Sequence, residues 1–216
     1  MKRIAVILSG CGVFDGSEIH ETVLLLLAAK RAGCDCTVFA PDAEQTETVN
    51  HSTGARVAET RNILVEANRI ARGAARSLAE FAPAEYDALI LPGGFGAVKN
   101  LCDFYYKGAD FAVIPALEKA LLETHRLNKP VGATCIAPIL LAKVFKGCRI
   151  TLGAQSESSD AAVKIGAEHV VASRDETVTD ETYRLVSTPA YMCADADIST
   201  VAAGAENLMR EILKLA

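Results

Sequence analysis

The chain has 216 residues, half of them hydrophobic, and a formal net charge of −5. This composition fits one globular domain spanning residues 1–216 and argues against a nucleic-acid partner, which a basic surface would attract. The longest apolar run, Val23 to Ala29, is too short to cross a membrane, so no membrane partner is expected. Seven cysteines at scattered spacings and four histidines outside any ligand pattern indicate free thiols in a reducing, cytoplasmic compartment and no metal site.

Short apolar runs alternate with segments of helical periodicity, which is typical of a parallel sheet wrapped by helices. In chain order, the predicted elements are strand 4–8, helix 17–32, strand 36–40, helix 59–72, strand 88–91, helix 114–127, strand 131–133, helix 137–145, the short strands 149–152, 170–171 and 185–187, and helix 198–215. The polar stretch 48–54 is expected to be a loop. The pattern predicts an α/β protein with a mostly parallel sheet.

The main candidate for chemistry is Cys135, which stands between the strand at 131–133 and the helix at 137–145. Doubly wound folds bind their ligands at the carboxyl edge of the sheet, and the start of a helix favours an anion. This position predicts a reactive thiol with a lowered pKa, held in a strained backbone conformation. The alternative, which an isolated cysteine would favour, is a small buried core residue.

A nucleophile needs hydrogen-bond donors for the oxyanion that it creates, and glycine lets backbone N–H groups approach a substrate closely. The predicted donors are the N–H groups of Gly93, Gly94 and Ile136. Cys11, which follows the first strand, could face the same cleft. Asn100 could bind a substrate oxygen, although a solvated loop residue is the alternative.

Five segments give the sequence a resemblance to the ElbB-type proteins, also called enhancing lycopene biosynthesis protein 2 or sigma cross-reacting protein. They lie within the PfpI-like, class I glutamine amidotransferase-like superfamily. The segments read S-G-C-G-V-F-D-G-S-E-I-H-E, A-E-T-R-N-I-L-V-E-A, L-P-G-G-F-G-A-V-K-N-L, C-I-A-P and T-P-A-Y-M. The resemblance implies a flavodoxin-like three-layer α/β sandwich and a cytoplasmic homodimer. It also implies a glyoxalase that converts glyoxal and water to glycolate without glutathione, metal or another cofactor.

The resemblance also implies a carboxylate partner for the superfamily cysteine, which maps on Cys135. That glutamate lies in the first helix, twelve residues before the glycine that ends it, and counting back from Gly33 gives Glu21. Glu18 is held in reserve, and one of the two glutamates is expected to be structural, near the positive end of the helix. Glyoxalase members commonly have a histidine directly after the cysteine or about twenty residues later, but Ile136 and Gln155 occupy those positions here.

Three functions follow from these residues. In the first, the Cys135 thiolate adds to a small aldehyde, and Glu21 moves a proton between the two carbons before hydrolysis. In the second, the protein is a redox sensor or regulatory protein whose acidic cysteine is oxidised. The third, glutamine amide transfer, is disfavoured because Thr188-Pro189-Ala190-Tyr191 occupies the region where a base histidine usually lies. Without a histidine, glyoxalase turnover is expected to be weak.

Overall fold

The computed structural model describes residues 1–216 and contains eleven strands and eight α-helices. The strands are β1 (Arg3–Ile7), β2 (Asp35–Ala40), β3 (Thr48–Asn50), β4 (Ala55–Val57), β5 (Arg76–Ser77), β6 (Ala88–Leu91), β7 (Val131–Thr134), β8 (Arg149–Ile150), β9 (Glu168–His169), β10 (Val178–Asp180) and β11 (Leu185–Thr188). The helices are α1 (Ile19–Arg31), α2 (Ile63–Ala71), α3 (Phe95–Lys99), α4 (Phe104–Lys107), α5 (Pro115–Arg126), α6 (Pro138–Val144), α7 (Glu157–Lys164) and α8 (Ile198–Leu215).

Seven strands form the central sheet, in the order β10-β11-β7-β6-β1-β2-β5. All neighbours are parallel except β10, which runs antiparallel to β11 at one edge. The register places the carboxyl ends of β6, β7 and β11 side by side, since Leu91 pairs with Ala133 and Thr188 pairs with Thr134. The predicted flavodoxin-like α/β fold with a mostly parallel sheet is confirmed.

Side chains of the central strands alternate between two apolar cores, one on each face of the sheet. On β1, Ala5 and Ile7 belong to the core shared with α5 and α6, whereas Ile4 and Val6 belong to the core shared with α1 and α8. Because both faces are covered, the inner strands are apolar at almost every position. This packing fixes the carboxyl ends of the strands, from which the site described below is built.

The stretch 48–54, predicted to be a loop, instead forms part of a hairpin in which β3 pairs antiparallel with β4. The backbone N–H of Val49 donates to the buried carboxylate of Asp15 at 2.8 Å. That anchor comes from a segment 34 residues away, so the local polarity of the stretch did not indicate it.

Two helical segments also differ from the prediction. The helix expected over 59–72 begins only at Ile63, because Asn62 caps it by accepting a hydrogen bond from the N–H of Val65. Helix α7 was not predicted, although Ser156 and Ser159 form a capping box at its start. No helix of the protein combines the length and the hydrophobicity that a membrane crossing requires.

Candidate active site

Cys135 lies directly after β7, at the turn that leads into α6. Its φ angle is +58°, in the left-handed region that a residue with a side chain rarely adopts. The backbone N–H of Cys135 donates to the carbonyl of Thr188 at 3.0 Å, so the neighbouring strand β11 holds the turn in place. The strained conformation that the sequence predicted for this residue is confirmed.

The glycine turn after β6 lies against this cysteine. A Cβ atom on Gly93 would lie 2.3 Å from Cys135 Cβ and 2.7 Å from Glu21 Oε2, distances that no side chain can occupy. Gly94 has a φ of +95°, and a Cβ there would lie 2.4 Å from the backbone of Gly16 and of Glu18. Both glycines are therefore needed for the close approach of three chain segments.

The predicted oxyanion donors divide into two kinds. The backbone N–H groups of Gly94 and Ile136 oppose the rise that burial causes in the pKa of Cys135, and their role as oxyanion donors stays a prediction. The N–H of Gly93 instead donates to Glu21 Oε2 at 2.9 Å and to the Thr134 hydroxyl at 3.1 Å. The prediction that Gly93 would bind the oxyanion is wrong, because its donor is already committed to the carboxylate.

Glu21 is buried beside the thiol of Cys135, and the two side chains interact directly. Its Oε2 atom accepts hydrogen bonds from the N–H of Gly93 and from the Thr134 hydroxyl, the latter at 2.7 Å. Its Oε1 atom is buried without a hydrogen-bond partner. Sequence reasoning missed Thr134, although its place directly before the cysteine was the available signal.

Glu18 has a structural role, unlike Glu21. Its side chain caps α1 by accepting a hydrogen bond from the backbone N–H of Glu21 at 2.7 Å. The structure therefore places Glu21 against Cys135 and Glu18 at the helix cap, in agreement with the count from Gly33. The expectation that one of the two glutamates is structural matches this arrangement.

The two reactive groups share a buried environment that disfavours charge. Burial raises the pKa of Glu21 to about 7, and the nearby charge of Glu18 adds to this effect while the Thr134 hydroxyl opposes it. Burial and the charge of Glu21 raise the pKa of Cys135 well above its ordinary value. The lowered thiol pKa predicted from the sequence is wrong, because the thiol is buried beside a carboxylate and α6 begins only at Pro138.

These shifts decide where the proton resides in the resting protein. Above pH 7 the pair carries its negative charge on the Glu21 carboxylate, and the Cys135 sulfur keeps its proton. The carboxylate is then placed to accept that proton when the sulfur attacks an electrophile. The pair is suited to deprotonate the thiol on demand, without a thiolate formed in advance.

The two remaining candidates are Asn100 and Cys11. The buried side-chain amide of Asn100 donates to the carbonyls of Ser9 and Asp15 and accepts from the N–H of Thr46. The prediction that Asn100 binds substrate is wrong, because all three contacts are to backbone that its amide ties together. Burial and the charge of Glu66, a residue of α2, raise the pKa of Cys11. That Cys11 faces the cleft stays a prediction.

None of the four histidines hydrogen-bonds to Cys135 or Glu21. His51 is held by the backbone of Phe14 and Val49, and His125 packs against aromatic rings. His20 Nδ1 lies 2.9 Å from the hydroxyl oxygen of Tyr191, a contact that the sequence analysis did not foresee. No group of three or more histidine, cysteine and acidic side chains is arranged to hold a metal ion.

Known proteins are similar to this chain over most of its length. The sequence profile of the DJ-1/PfpI family matches residues 2–190. The chain is 40% identical to the protein named ES1 protein homolog, mitochondrial, of Rattus norvegicus, over 99% of this chain and 84% of that protein. It is also 40% identical to a human protein named glutamine amidotransferase-like class 1 domain-containing protein 3, mitochondrial, over 99% of this chain and 83% of that one.

A crystal structure from Ehrlichia chaffeensis is also similar, with a TM-score of 0.91 at 32% identity. That protein is described as an isoprenoid biosynthesis protein with an amidotransferase-like domain, and the match covers 99% of this chain and 100% of that one. The two animal relatives are named as mitochondrial proteins, and the cytoplasmic location predicted for this chain stays a prediction.

Proposed function

Because the chain belongs to the DJ-1/PfpI family, we propose that it is a glutathione-independent glyoxalase that converts glyoxal and water to glycolate. One observation carries the proposal: a strained, buried cysteine stands beside a carboxylic acid whose pKa is raised to about 7. A group with a pKa near the working pH can both accept and return a proton, as an aldehyde isomerisation requires.

In the first step the Cys135 sulfur attacks one carbonyl carbon of glyoxal, and a carbon–sulfur bond forms. Glu21 accepts the thiol proton, while the electron pair of the carbonyl double bond moves to its oxygen. We assign the N–H groups of Gly94 and Ile136, which oppose the rise in the thiol pKa, as the donors that stabilise the charge on that oxygen. Glu21 then gives the proton to this oxygen, which yields a hemithioacetal and restores the Glu21 carboxylate.

In the second step Glu21, as carboxylate, removes the hydrogen of the sulfur-bearing carbon as a proton and delivers it to the neighbouring carbon. The hemithioacetal becomes a thioester of glycolate. Water then attacks the thioester, the carbon–sulfur bond breaks, and the sulfur regains a proton from the pair. Glyoxal and one water have become glycolate and one proton, so no oxidant, metal or thiol cofactor is consumed.

Turnover is measured as glycolate formed from glyoxal by the purified protein. We expect weak activity, since a positioned histidine base is worth about 10²–10⁴-fold and no histidine contacts this pair. Cys135→Ser and Glu21→Gln should abolish it, and chelators or glutathione should not change it. The matched controls His125→Ala and His169→Ala should retain it. Turnover that survives Cys135→Ser would refute the proposed mechanism.

A redox-sensing function is the second candidate, and the absence of a histidine contact to the pair favours it. The oxygen of a sulfenic or sulfinic acid on Cys135 would accept hydrogen bonds from the N–H groups of Gly94 and Ile136 and from protonated Glu21. The raised thiol pKa slows such oxidation. Dilute peroxide followed by mass spectrometry separates the two: ready oxidation of Cys135, with no turnover on any small aldehyde, would favour the sensor.

Glutamine amide transfer is not proposed, because no base histidine faces the thiol.

The ElbB-type subfamily is also a proposal. The Ehrlichia chaffeensis protein, which is described as an isoprenoid biosynthesis protein, supports it at 32% identity over 99% of this chain. A cytoplasmic homodimer is proposed on the resemblance to the superfamily. Light scattering on the purified protein at micromolar concentration tests the dimer, and a monomer mass would contradict it.

A further inference from the structure

The isomerisation of a hemithioacetal to a thioester moves two protons, and this inference rests on the proposed function. One proton passes from carbon to carbon, and the other passes from the hydroxyl of the first carbon to the oxygen of the second. Glu21 serves the carbons, but it is a single carboxyl whose Oε2 atom is already held by two donors. The oxygens need a second group that can both donate and accept.

Tyr191 and His20 form a polar pair that has no role in the steps assigned above to Cys135 and Glu21. His20 Nδ1 and the hydroxyl oxygen of Tyr191 are 2.9 Å apart, which joins the first turn of α1 to the turn that follows β11. Both ends of this link are close in sequence to residues of the site. His20 directly precedes Glu21, and Tyr191 lies three residues after Thr188, whose carbonyl binds the N–H of Cys135.

The backbone that carries Tyr191 is strained. Ala190 has a φ of +47°, although it has a side chain and is buried. Cys135 and Ala190 thus follow two neighbouring parallel strands, β7 and β11, in the same uncommon conformation and at the same edge of the sheet. Strained residues cluster at functional sites, where surrounding structure holds them against their preference.

Tyr191 carries its proton at neutral pH. Burial and the charges of Glu18 and Glu21 raise the pKa of its phenol, so the hydroxyl is protonated in the resting protein. A raised pKa also makes the phenolate a stronger base, which favours its recovery of a proton from the first substrate oxygen. The contact with His20 places the half-buried Tyr191 side chain at the first turn of α1, where Glu21 also lies.

We propose that Tyr191, supported by His20, is a further catalytic residue that transfers the proton between the two substrate oxygens. As Glu21 takes the proton from the first carbon, the carbon–hydrogen electrons form a carbon–carbon double bond. The carbonyl electrons move to the second oxygen, which takes the phenolic proton of Tyr191. His20, with a proton on Nδ1, donates a hydrogen bond to the phenolate. The phenolate then removes the proton from the first oxygen, and Glu21 returns its proton to the second carbon.

The test compares kcat and KM for glyoxal in Tyr191→Phe, His20→Gln and the double variant. Tyr183→Phe is the matched control, because its hydroxyl also makes one hydrogen bond, to the Lys146 carbonyl, before the amino end of β11. A second readout is the rate at which an alkylating reagent modifies Cys135 with and without glyoxal. Protection by glyoxal reports formation of the first adduct alone. Circular dichroism and the thermal midpoint establish that each variant is folded.

We expect Tyr191→Phe to lower kcat about 10²-fold and His20→Gln to lower it about tenfold, with KM little changed and protection of Cys135 retained. The double variant should be no slower than Tyr191→Phe, because both residues act through one phenol. A kcat within twofold of the wild type for Tyr191→Phe would overturn the inference and leave the proposed function standing. So would loss of Cys135 protection, since Tyr191 would then assist binding. Absence of glycolate with the wild type would overturn the proposed function itself, and the inference with it.

Discussion

Replacing Glu21 by glutamine should stabilise the protein at pH 8 and not at pH 5. The folded-state pKa of Glu21 is raised to about 7 from an ordinary value of 4.5. Folding therefore favours the protonated form, and the stability linked to it is lost as pH rises through the folded pKa. With one pKa unit worth about 1.36 kcal/mol, the wild type loses about 2.5 kcal/mol through this group between pH 5 and pH 8. Glutamine cannot ionise, so Glu21→Gln escapes that loss.

The assay is urea or thermal unfolding of wild type and Glu21→Gln at both pH values. The difference in unfolding free energy between Glu21→Gln and wild type is compared at pH 5 and pH 8. Any cost of the amide that does not depend on pH cancels in this comparison. For a chain of this size about 2.5 kcal/mol corresponds to roughly 5–10 °C in the thermal midpoint. Glu181→Gln is the matched control, because Glu181 is exposed and forms no ion pair, so its effect should be equal at both pH values. An effect of Glu21→Gln that is the same at pH 5 and pH 8 would refute the reasoning.

Three other predictions concern the same pair. The kcat/KM for glyoxal should rise as pH rises through about 7, because Glu21 must be ionised to accept the thiol proton; a flat pH profile would contradict this. Thr134→Val should move the midpoint of that profile to higher pH, since the Thr134 hydroxyl lowers the pKa of Glu21. Glu18→Gln should move the midpoint to lower pH, since the Glu18 charge raises that pKa. Gly93→Ala should destabilise the fold by about 1–3 kcal/mol in urea unfolding and abolish turnover, because the new methyl overlaps Cys135 and Glu21; normal stability with normal turnover would contradict the packing.

The sequence predicted the parts of the site that depend on chain topology. Apolar strands followed by Gly94 and Cys135 lie at the same sheet edge in any parallel arrangement, so their proximity could be derived without coordinates. The assignment of Glu21 over Glu18 needed the resemblance and the count from Gly33. The topology argument and the count from Gly33 both predict where backbone segments lie. The fold of the central sheet depends mainly on the positions of such segments.

The sequence did not predict which groups are already engaged. The Gly93 N–H donates to Glu21, while the Gly94 N–H acts on the pKa of Cys135, and neighbouring glycines give no sign of that difference. The amide of Asn100 is committed to backbone in loops far away along the chain. The raised pKa of Cys135 comes from burial beside a carboxylate, which depends on tertiary packing.

The hydrogen bond from the Cys135 N–H to the Thr188 carbonyl has a consequence for biosynthesis. While the ribosome has made the chain only as far as α7, the strand that supplies this acceptor does not yet exist. The nascent protein then has its cysteine but not the neighbour that holds the turn around it. The reactive geometry is completed only after β11 has been synthesised and added to the sheet, late in translation. A cysteine that is exposed before β11 joins the sheet lacks the burial that raises its pKa in the finished protein.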